Sequence, residues 1–208
     1  MESIQKIPET YTQQEHMGRF AFFRESLRNF KTVGTVTRSS RFLCQAVVKN
    51  ADLAHAKFVV ELGAGDGVMT RHLLNALPSD ALLLSFEINE IFCEQMAQID
   101  DHRLIIVNQS AELLPQILKS HGIAQLDAVV SALPFSVFPE DLALNIVKLS
   151  HDSLKEKGRF VQIHYSLKTR KLYRQVFGNV ETGFEFRNIP PAFVLLCEKT
   201  TSRIPENR

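Results

Sequence analysis

A glycine-rich turn carries the strongest chemical signal in this 208-residue sequence. Glycines at positions 63, 65 and 67 directly follow a short apolar run that contains Glu61. Glycine adopts backbone angles closed to other residues and, lacking a side chain, lets the backbone approach a ligand closely. A helix that opens after such a turn presents its free N–H groups to the same ligand. The pattern suits a nucleotide site or a plain strand-to-helix turn. It differs from the dinucleotide spacing Gly-x-Gly-x-x-Gly, whose last glycine would fall on Val68.

A second acidic residue favours the nucleotide interpretation. Glu87 ends the next apolar run, 24 residues after Gly63. An acid at the tip of the second strand is placed to accept hydrogen bonds from both ribose hydroxyls of an adenosine. We therefore expect Glu61 and Glu87 at the ends of adjacent strands, around one nucleoside.

The elements that position these residues alternate between strand and helix from Lys57 onward, which predicts a doubly wound α/β sheet. Continuous apolar runs such as residues 81–86 are typical of parallel strands covered on both faces. We expect strands near 58–62, 81–87, 103–107, 126–131, 159–165, 180–186 and 192–198, and helices near 67–77, 89–99, 110–121, 139–155 and 168–177.

Bulk composition sets limits on the class of protein. The chain is 45% hydrophobic and 23% charged with a net charge of +1, so only a local patch could attract nucleic acid or a membrane. Its three cysteines lack metal-ligand spacing and are expected to be core thiols. The first residues lack the apolar run of a signal peptide, and no stretch is long enough to span a bilayer. We therefore expect a cytoplasmic protein that can still lie on a membrane.

Residues 1–50 differ from the rest. Six Lys or Arg residues lie between positions 19 and 41 against one acid, Glu25. Apolar residues recur there at helical spacing, at Phe20, Phe23, Leu27 and Phe30. Such a helix either caps the domain with a solvated basic rim or lies in a membrane interface. We divide the chain into an N-terminal strap with a basic amphipathic helix (1–50), a ligand-binding α/β domain (51–199) and a polar tail (200–208).

The glycine turn and the two acid-ending strands resemble the class I S-adenosylmethionine-dependent methyltransferases. The resemblance implies a Rossmann-like sheet of seven strands, S-adenosyl-L-methionine as cofactor, and no metal. It further implies that Glu61 and the glycine turn hold the methionyl end, Glu87 holds the ribose and Ile88 packs on the adenine. Gln109 or Ser110 would replace the acid that usually contacts the adenine amine. The implied cofactor-binding residues are Glu61, Gly63, Ala64, Gly65, Glu87, Ile88, Gln109, Ser110, Ala111 and Ser131.

A narrower resemblance points to bacterial phospholipid N-methyltransferases, which convert phosphatidylethanolamine to phosphatidylcholine and have relatives that act on ornithine lipids. Four patches carry it: residues 33–41, 131–134, 160–165 and 187–192. The resemblance implies a lipid headgroup amine as substrate. Tyr165 and the backbone at Leu133 and Pro134 would orient that amine, and Phe135 would contact it. Arg187 would pair with the lipid phosphate or, equally, with a surface carboxylate.

We therefore expect an N-methyltransferase that acts on phosphatidylethanolamine or a similar lipid at the inner membrane face, docked through residues 19–41. An rRNA adenine-N6 dimethyltransferase, a small-molecule amine methyltransferase and a non-enzymatic cofactor-binding domain remain alternatives. Adenine N-methyltransferases carry an asparagine where this chain has Ala132. A flipped adenine amine would there lose an acceptor worth about 1–3 kcal/mol, so nucleic acid is the less expected partner. The sequence gives no prediction of oligomeric state.

Overall fold

The computed structural model describes residues 38–200. Helices and strands alternate along this range, as the sequence predicts. In chain order the elements are α1 Arg41–Ala51, β1 Phe58–Leu62, α2 Val68–Ala76, β2 Leu82–Phe86, α3 Glu90–Met96, β3 Leu104–Val107, α4 Leu114–Ser120, β4 Leu126–Ser131, α5 Glu140–Ser153, β5 Leu154–His164, α6 Arg170–Phe177, β6 Glu181–Glu185 and β7 Ala192–Glu198.

The seven strands form one sheet in the order β3-β2-β1-β4-β5-β7-β6. Strands β1 to β5 pair in parallel, and β7 runs antiparallel to both β5 and β6. The predicted α/β fold with seven strands is therefore confirmed. The chain order reverses between β1 and β4, and parallel sheets bind ligands at the carboxyl ends of the strands beside such a switch point. Glu61 and Glu87 both belong to this edge.

Side chains alternate across the sheet because successive residues of a strand point to opposite faces. In β1, Val60 and Leu62 join a core that also contains the buried side chains of α4, α5 and α6. Val59 joins a second core, formed with the buried side chains of α1 and α2. The strands are thus apolar on both faces, which explains their unbroken apolar runs.

Helix α1 lies across the boundary that the sequence predicts between residues 50 and 51. Ser40 begins it, because its hydroxyl accepts a hydrogen bond from the Leu43 N–H at 3.2 Å. Leu43 and Val47 are fully buried in the second core. Residues 41–50 therefore pack as part of the α/β domain. The predicted basic amphipathic helix, with its apolar residues at 20–30, lies outside the described residues, as do residues 19–37 of the basic segment 19–41 and the tail residues 201–208.

Strand β5 begins at Leu154, five residues before the predicted start at 159. Leu154 pairs with Leu126, and the register then shifts before Arg159 pairs with Ala128. Lys157 lies within the shift with a φ of 62°, a conformation rare for a residue with a side chain. This irregular stretch has no regular strand pattern in the sequence, so the prediction missed the first part of the strand. No helix within residues 38–200 has both the length and the apolar character needed to cross a bilayer.

Candidate active site

The glycine turn between β1 and α2 needs glycine at all three positions, because φ is 78° at Gly63, 59° at Gly65 and 79° at Gly67. Two of these glycines also face close neighbours. A β-carbon on Gly63 would lie 2.9 Å from Leu133 Cδ2, and one on Gly67 would lie 3.1 Å from Met96 Cγ. A β-carbon on Gly65 would meet nothing within 4 Å. The open side of the turn is therefore at Gly65, where a ligand can approach the backbone.

Glu87 closes over this turn from the tip of β2. Its Oε2 accepts a hydrogen bond from the Gly65 N–H at 2.8 Å, and its Oε1 accepts one from the Asn89 N–H at 2.9 Å. Glu87 is nearly buried, and the following residue, Ile88, is half-buried against the first core. Ala64 is also buried, and its N–H is bonded to the end of β2. The second carboxylate thus lies beside the turn at the tip of the adjacent strand, as the sequence predicts, and its direct bond to the turn is a finding of the structure.

Glu61 lies deeper than Glu87, between β2 and α2. Its Oε2 accepts hydrogen bonds from Thr70 Oγ1 and Ser85 Oγ, both at 2.7 Å. Burial raises the pKa of Glu61 to about 7, although the two hydroxyls oppose that shift. Its observed partners are hydroxyls of the protein, so Glu61 ties the strand beneath the turn to the helix that follows. The predicted contact of Glu61 with the methionyl end stays a prediction.

The residues after β3 divide into two groups. Asn108 donates from Nδ2 to the Glu87 carbonyl oxygen at 2.9 Å, and Gln109 beside it is half-buried. Ser110 is buried and caps a short 3-10 helix with its hydroxyl, while Ala111 packs in the first core. Gln109 is therefore the predicted residue here that keeps a partly open side chain, whereas Ser110 and Ala111 support the loop.

The loop after β4 is held by hydrogen bonds to its backbone groups, two of them with side chains. Ser131 is fully buried, and its hydroxyl accepts a hydrogen bond from the Leu133 N–H at 3.3 Å. The Leu133 carbonyl accepts from Gln162 Nε2 at 3.0 Å and from the Phe135 N–H at 2.9 Å. The Pro134 carbonyl accepts from the backbone of a short 3-10 helix that follows. The Leu133 carbonyl, predicted to orient the substrate amine, already has two donors in this structure.

Gln162 joins β5 to this loop and was not predicted to have a role. It is fully buried, and its Nε2 also donates to the Ile163 carbonyl at 2.7 Å. Its Oε1 has no hydrogen-bond partner among the described residues. The sequence signal was available, since Gln162 belongs to the patch at residues 160–165, but an amide inside an apolar strand does not reveal which loop it holds.

Phe135 does not occupy the predicted position against the substrate. It is 2% exposed and packs edge-on against Phe138 and Tyr173, with ring centroids 5.6 Å and 6.2 Å away. Its ring fills the first core because the 3-10 helix at residues 135–137 turns it inward. Phe135 therefore supports the β4 loop from below.

Tyr165 follows the last residue of β5 and remains 40% exposed. Burial of the rest of its side chain raises the pKa of Tyr165, and a hydrogen bond with Asn188 opposes that shift. Asn188 is fully buried; its Oδ1 accepts from the Ser40 N–H at 2.8 Å and its Nδ2 donates to the Pro190 carbonyl at 2.7 Å. Tyr165 is thus held at the carboxyl edge of the sheet by an amide that also fixes the start of α1.

His164 lies on the opposite face from Tyr165, as alternation along the strand predicts. Its Nε2 lies 2.6 Å from Tyr173 Oη and 3.1 Å from Thr169 Oγ1. Burial lowers the pKa of His164 to about 4, so the ring is neutral at physiological pH. His164 is part of the core beneath α6.

Arg187 pairs with the carboxylate of Glu185 at the end of β6, which is buried, whereas the sequence predicts a lipid phosphate or a surface carboxylate as its partner. Its Nε and Nη2 donate to the two carboxylate oxygens of Glu185 at 2.8 Å and 2.9 Å. This pairing lowers the pKa of Glu185 to about 2. The guanidinium carbon also lies 4.1 Å from the centre of the Phe42 ring on α1. Arg187 therefore ties the β6–β7 loop to the first helix.

Contacts join all four sequence patches at one edge of the sheet. Gln162 links the patches at 131–134 and 160–165, and Asn188 links those at 160–165, 187–192 and 33–41. Arg38, in the described part of the first patch, pairs with Asp66 of the glycine turn at 2.6 Å. Segments far apart in sequence thus surround a single site.

Comparison with known proteins agrees with this geometry. A family model described as the methyltransferase small domain matches residues 32–187. An ornithine lipid N-methyltransferase from Singulisphaera acidiphila is 30% identical over 181 residues, which cover 86% of this chain and 94% of that protein. The chain belongs to the class I S-adenosylmethionine-dependent methyltransferases.

Solved structures share the fold of this methyltransferase at low sequence identity. The 1,6-didemethyltoxoflavin-N1-methyltransferase of Burkholderia thailandensis has a TM-score of 0.62 at 15% identity, covering 94% of this chain and 93% of that one. The magnesium protoporphyrin IX methyltransferase of Synechocystis has a TM-score of 0.60 at 13% identity, covering 93% and 100%. Both structures support the architecture alone, and enzymatic methyl transfer follows from the family.

Proposed function

We propose that this methyltransferase acts on the headgroup amine of a membrane lipid, such as phosphatidylethanolamine or an amine-bearing lipid like it. The observation that carries the proposal is the 30% identity to an ornithine lipid N-methyltransferase along 94% of that protein. The contacts that join the four lipid-enzyme-like patches around the glycine turn support it.

The residues around the turn fit S-adenosylmethionine, the methyl donor of the family. Gly65 has open space beside it, and the Glu87 carboxylate lies at the same turn with acceptor oxygens suited to ribose hydroxyls. Ile88 and Gln109 are the half-buried side chains beside them and are the best candidates for the adenine. When bound, the cofactor supplies an electrophilic methyl group on sulfur. Residues 38–200 contain no cluster of side chains that could hold a metal ion.

The chain's own contribution is to select a neutral amine and hold it in line with the methyl. Burial raises the pKa of Tyr165 and so favours its protonated hydroxyl, which can donate to or accept from a headgroup. Its exposed ring offers a face to the ammonium that forms as methyl groups accumulate. Because the Leu133 carbonyl is already bonded, orientation of the amine falls mainly on Tyr165.

The rRNA alternative lacks a specific supporting contact. Ala132, at the position of the adenine-binding asparagine, is exposed at the β4 loop and has no side-chain acceptor.

We further propose that the reaction takes place at the inner face of the membrane. Residues 19–41 remain a candidate membrane anchor. Of these, residues 19–37 lie outside the described residues.

The direct test is to supply labelled S-adenosylmethionine with detergent micelles of phosphatidylethanolamine or ornithine lipid, and separately with ribosomal RNA. We expect label in lipid and none in RNA. A Tyr165→Phe variant should lower kcat for lipid while leaving cofactor affinity unchanged, because the hydroxyl faces the acceptor side. Label found in RNA with none in either lipid would refute the proposal.

A further inference from the structure

A group of large apolar side chains is exposed at the end of β5 and around the β6–β7 hairpin. Their exposed fractions rise from 40% to 78%, whereas such side chains are usually scattered or buried on a soluble protein. We call this group the tip patch: Tyr165, Leu167, Phe184, Phe186 and Ile189. Ile91 and Val137 are the other large apolar side chains that are exposed among residues 38–200.

The topology puts the tip patch at the same edge as the catalytic loops. Strand β7 runs antiparallel to both neighbours, so β6 points the same way as β5 and both end at the carboxyl edge. His164, Phe193 and Phe184 form one row across these strands. The hydrogen bond between Tyr165 and Asn188 joins the two parts of the patch.

The hairpin is anchored firmly beneath its apolar tip. The Phe184 and Phe193 rings lie 5.0 Å apart, and Arg187 is bonded through two nitrogens to Glu185. Asn188, next to Ile189, is fully buried and holds Ser40. Glu185 and Asn188 are therefore buried at the base of the loop while the apolar Phe186 and Ile189 are exposed, the reverse of an ordinary surface loop.

Cations flank the patch on a chain whose net charge is only +1. Lys168 lies just before α6 and Lys171 and Arg174 lie on it; all three are exposed, and α6 is the next element after β5. The exposed acid of β6, Glu181, lies at the other end of that strand. Apolar side chains beside exposed lysines complement an anionic bilayer, where acyl chains lie beneath negative headgroups.

We propose that the tip patch seats on an anionic lipid bilayer, with Phe186 and Ile189 below the headgroups and Lys168 and Lys171 at the phosphates. This inference rests on the proposed lipid function, since it would bring Tyr165 to the depth of a headgroup amine that stays in its membrane. A second copy of the chain and residues 1–37 are the other possible occupants, and the experiment distinguishes them.

The experiment is sedimentation of the full chain with vesicles of phosphatidylcholine, with and without phosphatidylglycerol, omitting S-adenosylmethionine and any amine lipid. Without catalysis, the result reports docking alone, while the micelle assay above reports the activity alone. We expect binding to the anionic vesicles that weakens about tenfold or more in Phe186→Ser/Ile189→Ser and in about 0.5 M salt. Ile91→Ser is the matched control, since Ile91 is 63% exposed but lies on α3, outside the tip patch, and the variant should sediment like the parent.

Each other outcome overturns the proposal. Equal binding of the double variant would assign docking to another segment, such as residues 1–37. No sedimentation of the parent protein would exclude a bilayer partner. A parent that is dimeric by light scattering, with a monomeric double variant, would identify a second copy as the occupant. Because both side chains are exposed, the variants should unfold at the parent temperature. The variant Lys168→Ala/Lys171→Ala provides a second test. It should bind the anionic vesicles more weakly than the parent even at low salt, where the charges are least screened.

Discussion

The site has a cofactor side, around the glycine turn and Glu87, and an acceptor side, around Tyr165 and Asn188. These two sides hold their polar groups in different ways. Glu87 bonds to the N–H groups of Gly65 and Asn89, 22 and 2 residues away, inside one strand-turn-helix-strand unit. Asn188 bonds to Ser40, 148 residues away, and brings the two ends of the domain together. The cofactor side is therefore formed by neighbouring segments, whereas the acceptor side depends on the complete fold.

Because of this difference, the two sides should tolerate different kinds of substitution. A glycine turn with an acid at the next strand end can form in any chain that folds this one unit. The acceptor side can change its exposed tip and its substrate without disturbing the turn, because the polar groups that hold Tyr165 and Asn188 are not those that hold Glu87. Substitutions on each side should therefore affect different measurable quantities.

The largest expected effect is on the cofactor side, from Glu87→Ala. The variant loses a carboxylate that holds the turn and is assigned to the ribose. Two charge-assisted hydrogen bonds correspond to about 4 kcal/mol, or about a thousandfold in affinity. Calorimetric titration with S-adenosylhomocysteine should measure this loss. Glu90→Ala, an exposed acid three residues further on, should keep the parent affinity. An unchanged affinity in Glu87→Ala would show that the ribose is held elsewhere.

Two buried groups, Glu61 on the cofactor side and His164 in the core beneath α6, should make stability respond to pH in opposite senses. The pKa of Glu61 is raised from 4.5 to about 7, so the folded state keeps a proton that the unfolded chain has released, and stability falls as pH rises through that range. The pKa of His164 is lowered from 6.5 to about 4, so the unfolded chain takes up a proton first, and stability falls as pH drops. The two effects nearly cancel between about pH 5 and pH 7.

Single substitutions should expose each effect. With Glu61→Gln, the free energy of unfolding should fall by about 2 kcal/mol from about pH 7 to pH 5, because the His164 contribution is unopposed. With His164→Gln it should rise by a similar amount over the same interval. Urea denaturation at the two pH values measures both. If the free energy of unfolding changed with pH in the same direction in both variants, the opposite effects assigned to Glu61 and His164 would be wrong.

Local patterns made the cofactor side predictable. The turn, the bounds of β1 and β2 and the position of Glu87 at the end of β2 follow from glycine, from unbroken apolar runs and from an acid at a strand end. Thr70 and Ser85 were missed as partners of Glu61, although Ser85 interrupts an otherwise apolar strand and lies opposite Glu61 in register. Their role depends on which helix covers that face, which periodicity alone does not state.

The acceptor side was harder to predict because its residues act through distant partners. Phe135 is aromatic at a plausible position, yet the 3-10 turn that contains it points its ring into the core. Gln162 and Asn188 lie in patches that the sequence singled out, but no spacing rule connects residue 40 to residue 188. The exposure of Phe186 and Ile189 likewise could not be predicted from the sequence, because it depends on the position of β6 at the edge of the sheet.

Asn188→Ala should have the smallest effect of the three predictions, but it is the most specific test of the separation between the cofactor side and the acceptor side. It removes the acceptor of the Ser40 N–H and the donor to the Pro190 carbonyl, and leaving such buried groups unpaired should cost about 1.5 kcal/mol. Tyr165 also loses its partner, so KM for the lipid should rise while the affinity for S-adenosylhomocysteine stays at the parent value. Lipid kinetics in micelles and calorimetry of the same sample measure the two quantities.

Asn179→Ala is the control, because the side-chain amide of Asn179 also joins two segments, at the opposite edge of the sheet. It donates to the Glu198 carbonyl at 3.0 Å and accepts from the Glu198 N–H at 3.0 Å. Its loss should lower stability comparably and leave the lipid KM unchanged. If both variants raised KM equally, the effect would reflect general loosening of the domain. If Asn188→Ala instead weakened the cofactor, the two sides would be coupled through α1, and the separation argued from their bonding distances would be wrong.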